Sequence, residues 1–89
     1  MNKALDELRK EIDSADEELV NALAKRMDLV RKVGKLKKRQ DILPLDETRW
    51  RKVINMVTKK AEGKNIPEKL IEKIYEEIHQ AALTIEKNE

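Results

Sequence analysis

The sequence predicts an all-α fold with three helices per chain, and three observations carry that prediction. Charged residues fill 43% of the 89 positions and apolar residues 39%, a mixture rich in Lys, Glu, Leu, Arg and Ala that favours helix. Two Gly, two Pro, one Trp, one Tyr and no Phe leave little to punctuate the chain or to build strands. Apolar positions recur at alternating steps of three and four rather than two.

The first helix shows the clearest period. Its seam runs through Leu5, Leu8, Ile12, Ala15, Leu19 and Ala22, meets Arg26, and continues through Leu29, Val33 and Leu36. Leu23, Met27 and Val30 widen the apolar face. Gly34 weakens the run by only about 1 kcal/mol, and the first proline is Pro44, so one helix is expected over about residues 3–39. Asp41 to Leu45 breaks the chain. Asp46 then reads as the N-cap of a second helix over about 47–62, with Gly63 as the left-handed residue after it. Pro67 suits the first position of a third helix over about 67–87, which carries Ile71, Ile74, Ile78, Ala81 and Ile85 at three-four spacing. Together these form a single domain, residues 1–89.

Length then constrains assembly. A helix of about 36 residues is ~54 Å long, whereas a compact globule of this size is roughly 30 Å across. The first helix must overhang a monomer, and its apolar seam would lie in water. The economical remedy is a homodimer in which two long helices cross. From periodicity alone, a plain coiled-coil or helical-hairpin scaffold with no site remains an equal alternative.

Composition also excludes function classes. The absence of cysteine removes disulfide frameworks and thiolate zinc sites, and one histidine, His79, cannot anchor an ordinary His-rich metal centre. An ordinary metal centre is therefore not expected. Twenty basic residues against 18 acidic ones give a net charge of +2, too balanced to imply bulk attraction to nucleic acid or membrane. The basic run from Arg31 to Arg39 has no interleaved aromatic platform and reads as a solvated face. No stretch approaches the ~20 apolar residues of a membrane span, and the first ten positions lack an apolar leader, so a cytoplasmic location is expected.

Basic residues on apolar faces are the informative exceptions. Arg26 interrupts the seam, where a charge is costly unless paired or bound. Lys37 follows three turns later, near the same face and ~16 Å along the axis. Arg9 lies ~42 Å from Lys37, too far to share a small ligand within one helix. An antiparallel pair crossing near residues 20–21 would set Arg9 of one chain between Arg26 and Lys37 of the other. A cationic pocket would then occur twice per dimer.

The motifs Leu8-Arg9-Lys10-Glu11-Ile12-Asp13, Leu23-Ala24-Lys25-Arg26, Val33-Gly34-Lys35-Leu36-Lys37 and Asp46-Glu47-Thr48-Arg49 resemble those of the all-helical chorismate mutases. The three-helix layout and total length match as well, so the resemblance covers essentially the whole chain. It implies an intertwined homodimer with two shared active sites and the Claisen rearrangement of chorismate to prephenate, in aromatic amino-acid biosynthesis. That reaction is unimolecular and pericyclic, and needs no nucleophile, general base, metal or cofactor. What it needs is a site that grips two carboxylates, holds the enolpyruvyl arm over the ring and stabilises negative charge on the ether oxygen.

By the resemblance, Arg9 from the partner chain and Arg26 bind carboxylates, for which guanidinium is suited. Lys37 donates to the ether oxygen and one carboxylate, while Asp46 and Arg49 help hold the ring hydroxyl and the charge network. Asp46 serves equally as a helix cap. Two positions depart from the commonest pattern: Trp50 stands where many members carry a glutamate that binds the substrate hydroxyl, and Ala82 where a small polar residue is common. Glu86 stands where glutamine is usual, although some members carry glutamate. A neutral Glu86 carboxyl could donate to the ether oxygen, so turnover should rise as pH falls. His79 is expected to be a packing or surface residue. Two other functions stand beside this one: the related lyase that removes pyruvate from isochorismate, and a non-catalytic dimerisation or regulatory module.

Overall fold

The computed structural model describes residues 2–89. Three helices make up the chain: α1 (Lys3–Arg39), α2 (Glu47–Ala61) and α3 (Glu68–Lys87). Each boundary has a local cause. Asn2 opens α1, its side-chain oxygen accepting from the Leu5 amide at 3.0 Å. At the other end the amide of Gln40 donates back to the last-turn carbonyls, and Lys37, Lys38 and Arg39 complement the negative end of the helix dipole. Asp41 then turns the chain at φ 54°, and the Ile42 amide closes on the Lys37 carbonyl oxygen at 2.8 Å.

Asp46 caps α2, its carboxylate accepting from the Arg49 amide at 3.0 Å. The α2–α3 turn uses two left-handed residues, Gly63 (φ 73°) and Asn65 (φ 56°). The three helices stand where the periodicity places them, with small boundary differences. Helix α2 stops at Ala61, and Pro67 lies just outside α3 as its N-cap rather than inside its first turn. Its fixed φ serves either position.

Helix α3 is the central element. It leans on α1 along one side and on α2 along another, while α1 and α2 make no close backbone approach among the described residues. The buried core is correspondingly small: Val53, Val57 and Ala61 from α2, Ile78 and Ala82 from α3, and Gly34 from α1. Helix α1 presents the half-buried line Leu23, Met27 and Val30 to this core. Its closest approach to α3 falls at Gly34, where a Cβ would stand 3.0 Å from the Glu86 Cα and 3.2 Å from the Glu89 Cγ. A side chain there would hold the two helices apart.

Half of α1 packs on nothing within the chain. Residues 2–22 are all exposed, and Leu8, Ile12, Leu19 and Val20 each show more than half of their surface. Leu29, Val33 and Leu36 continue the same bare stripe. The molecule measures 59 × 24 × 15 Å with a radius of gyration of 16.7 Å. A compact chain of this length would have a radius near ~12 Å, so the overhang expected from helix length is present.

Candidate active site

A half-open cavity of about 290 Å³ lies where the last four turns of α1, the start of α2 and the end of α3 converge. That volume is at the small end for organic ligands. Its chemistry begins with Lys37. From α1 this side chain crosses to α3, where Nζ lies 2.8 Å from Glu86 Oε1, the two side chains being 19% and 10% exposed. The aligned hydrogen bond from Nζ goes elsewhere, to the Pro44 carbonyl oxygen at 2.6 Å. Glu86 Oε1 is buried and has no aligned donor among the described residues, although a cation stands at contact distance. The pair therefore balances charge but leaves a directional valence open. Burying it offsets two desolvations against one attraction, so removing either partner alone would strand the other.

Arg26 lines the same cavity. Its guanidinium lies over the Tyr75 ring, 5.8 Å from the centroid, an attraction that holds the cation in place without consuming its five donors. Arg49 reaches the cavity from the first turn of α2, and Asp46 lies at its edge. The observed contact of the Asp46 carboxylate is the cap, which also orders the backbone that carries Arg49. Ala82 is buried at the cavity floor and offers only a methyl group.

Of the seven sequence-predicted site residues, the structure thus brings six together: Arg26, Lys37, Asp46, Arg49, Ala82 and Glu86. Arg9 is apart. It sits on the exposed half of α1, about 25 Å from Arg26 by axial rise, and its own chain cannot bring it to the cavity.

Sequence reasoning missed two contributors, Tyr75 and Gly34. His79, expected as a packing or surface residue, is half-buried in the cavity wall and stacks on Trp50, ring centroids 4.1 Å apart and planes 13° from parallel. Burial pushes its imidazole below the ordinary value of 6.5; Glu86 opposes that shift and Arg26 adds to it. Tyr75 holds Arg26. Gly34 lets α3 come close enough for Glu86 to meet Lys37. The signal for Gly34 was available, since a glycine inside a strong helix has a packing reason more often than not.

The lining adds three cations, Arg26, Lys37 and Arg49, to two carboxylates, Asp46 and Glu86, leaving one net positive charge around an apolar floor. Such a site can bind a small anion and stabilise charge that develops on it. This is the character of a protein that works by charge placement rather than by covalent chemistry. Residues 8–87 match the family described as chorismate mutase type II, and the chain belongs to that family of isomerases. It is a chorismate mutase domain.

Relatives agree. The chain is 35% identical over 86 residues to the bifunctional chorismate mutase/prephenate dehydratase of Aquifex aeolicus (strain VF5), which covers 93% of this chain and 24% of that protein. It is 34% identical over 79 residues to the T-protein of Enterobacter agglomerans, covering 89% of the chain and 21% of the relative. A 35-residue stretch is 57% identical to the T-protein of Haemophilus influenzae (strain ATCC 51907 / DSM 11121 / KW20 / Rd), covering 39% of the chain and 9% of that protein. The chain thus spans about a quarter or less of the length of these curated relatives. No helix among the described residues is long and apolar enough to cross a membrane.

Proposed function

We propose that this chain converts chorismate to prephenate in the cavity between its helices, as a homodimer with two shared sites. The observation that carries the reading is the placement of Lys37. Its ammonium group is held part-buried between the Glu86 carboxylate and the Pro44 carbonyl, with Arg26 on the same wall. An ammonium has three donors; one is aligned on the Pro44 carbonyl oxygen and the Glu86 carboxylate stands against a second side of the group. The third is available for a ligand.

In the rearrangement the carbon–oxygen bond of the enolpyruvyl ether breaks while a carbon–carbon bond forms within the same molecule. No proton or electron leaves. Bond cleavage runs ahead of bond formation, so negative charge builds on the ether oxygen, and Lys37 donates to that oxygen more strongly in the transition state than in the ground state. Arg26 clamps one carboxylate, and its Tyr75 support limits the freedom lost on binding. Arg49 adds to the same charge network.

Charge balance supports a second chain. One net positive charge around the cavity is a poor match for a dianion, and Arg9 of the partner subunit would raise it to two. The bare stripe from Leu5 to Val20 is the surface on which such a partner would seat. Chorismate consumption, followed by its loss of absorbance, tests the reading. Lys37→Ala should lower kcat about 100- to 1,000-fold, the usual effect of removing one preorganised donor. A Lys37→Ala chain as fast as the parent would overturn the assignment, and pyruvate release from isochorismate without prephenate formation would assign the lyase activity instead.

A further inference from the structure

Several charged side chains around the cavity already have protein contacts. Lys37 faces Glu86 and the Pro44 carbonyl, Asp46 caps α2, and Arg26 lies over Tyr75. The cations only donate hydrogen bonds. A dicarboxylate that also carries a ring hydroxyl brings a proton that needs an acceptor; Asp46 is the helix cap, and the Glu86 oxygen paired with Lys37 is buried away from the cavity surface. Among the described lining residues, His79 is the neutral side chain with both a donor and an acceptor. One face of its ring is covered by Trp50, and the stack leaves the nitrogen-bearing ring edge uncovered. The stack also fixes the ring plane, which lowers the entropy lost on binding.

We infer that His79, held in its stack on Trp50, accepts the ring hydroxyl of the substrate and sets the preference for hydroxylated over deoxygenated dicarboxylates. This rests on the dicarboxylate reading of the cavity. The electrostatics agree with it. Burial keeps the imidazole neutral at neutral pH, and Arg26 on α1 acts in the same direction. Glu86, on the same helix, acts oppositely but less than burial does. Lys37, Arg49 and Asp46 complete the charged groups around the cavity. Protonation would abolish the acceptor, so the preference should fade in acid.

The test compares kcat/KM for chorismate and for an analogue lacking the ring hydroxyl, in the full chain and in its His79→Leu and His79→Gln variants. A neutral hydrogen bond corresponds to a preference of about 2- to 12-fold in the parent. His79→Leu should bring the ratio to one by losing on chorismate alone, and His79→Gln, which keeps an acceptor, should retain part of it. An unchanged ratio in His79→Leu, or equal losses on both compounds, overturns the inference, because a purely structural role lowers both together. Calorimetric binding of a bicyclic dicarboxylate with and without the hydroxyl reads the same ratio independently of turnover. A chain that turns over neither compound yet shows a His79-dependent binding preference upholds the inference and removes the reaction; one with no such preference removes the inference.

Discussion

Gly34→Ala separates stability from activity in this fold. The added Cβ would stand 3.0 Å from the Glu86 Cα, a backbone atom that cannot rotate aside. Carbon atoms rest at about 3.5–4.0 Å, so the end of α3 must withdraw by roughly 0.5–1 Å. Overpacking of this kind costs about 1–3 kcal/mol. Alanine restores about 1 kcal/mol through its helix preference over glycine. The net loss is then ~0–2 kcal/mol, and each 1 kcal/mol shifts Tm by about 4–8 °C for a chain of this size. Activity should suffer more, because Glu86 moves with α3 while Lys37 stays on α1. A displacement near 1 Å can lower kcat about 100-fold. Thermal unfolding at one fixed protein concentration, beside kcat for chorismate, measures both. A Gly34→Ala chain that melts above the parent and keeps full kcat refutes the close approach, since the helix preference would then act unopposed.

Arg9→Ala and Lys37→Ala chains, each inactive alone, should recover about a quarter of parental activity when mixed, because half the dimers are mixed and each holds one intact site. No recovery after demonstrated subunit exchange would remove the shared site. His79 titrates lower in the folded chain than the ordinary 6.5, so the unfolded chain binds more protons between the two values. Its stabilising effect is complete above pH 6.5 and is lost as pH falls through the folded value. His79→Gln should therefore make Tm less sensitive to pH below 6.5, and an unchanged slope would show that the imidazole is not buried.

What was legible in the sequence follows the range of the forces involved. Helix existence is set by neighbours three and four positions apart, so Leu5 to Leu36, Asp46 and Gly63 announce their roles locally. The overhang needs only a rise per residue. Arg26 and Lys37 stand out as basic residues on an apolar face, Asp46, Arg49, Ala82 and Glu86 come through the family resemblance, and the cavity brings all six together. Contacts between helices left no local trace. The Trp50–His79 stack joins α2 to α3, the Arg26–Tyr75 contact joins α1 to α3, and neither pair is marked by spacing along the chain. Arg9 was legible as a basic residue beside a seam, but its role depends on a second molecule.

The helices form two sides of a triangle, with α3 touching both neighbours and the far ends of α1 and α2 left unjoined. A dianion bound as proposed, by Arg26 and Lys37 on one side and by Arg49 on the other, would tie α1 to α2 across the cavity at their near ends. The reactant would then act as a brace as well as a passenger. Rigidity and occupancy should rise together, so that the architecture is most complete at the moment the bond rearranges.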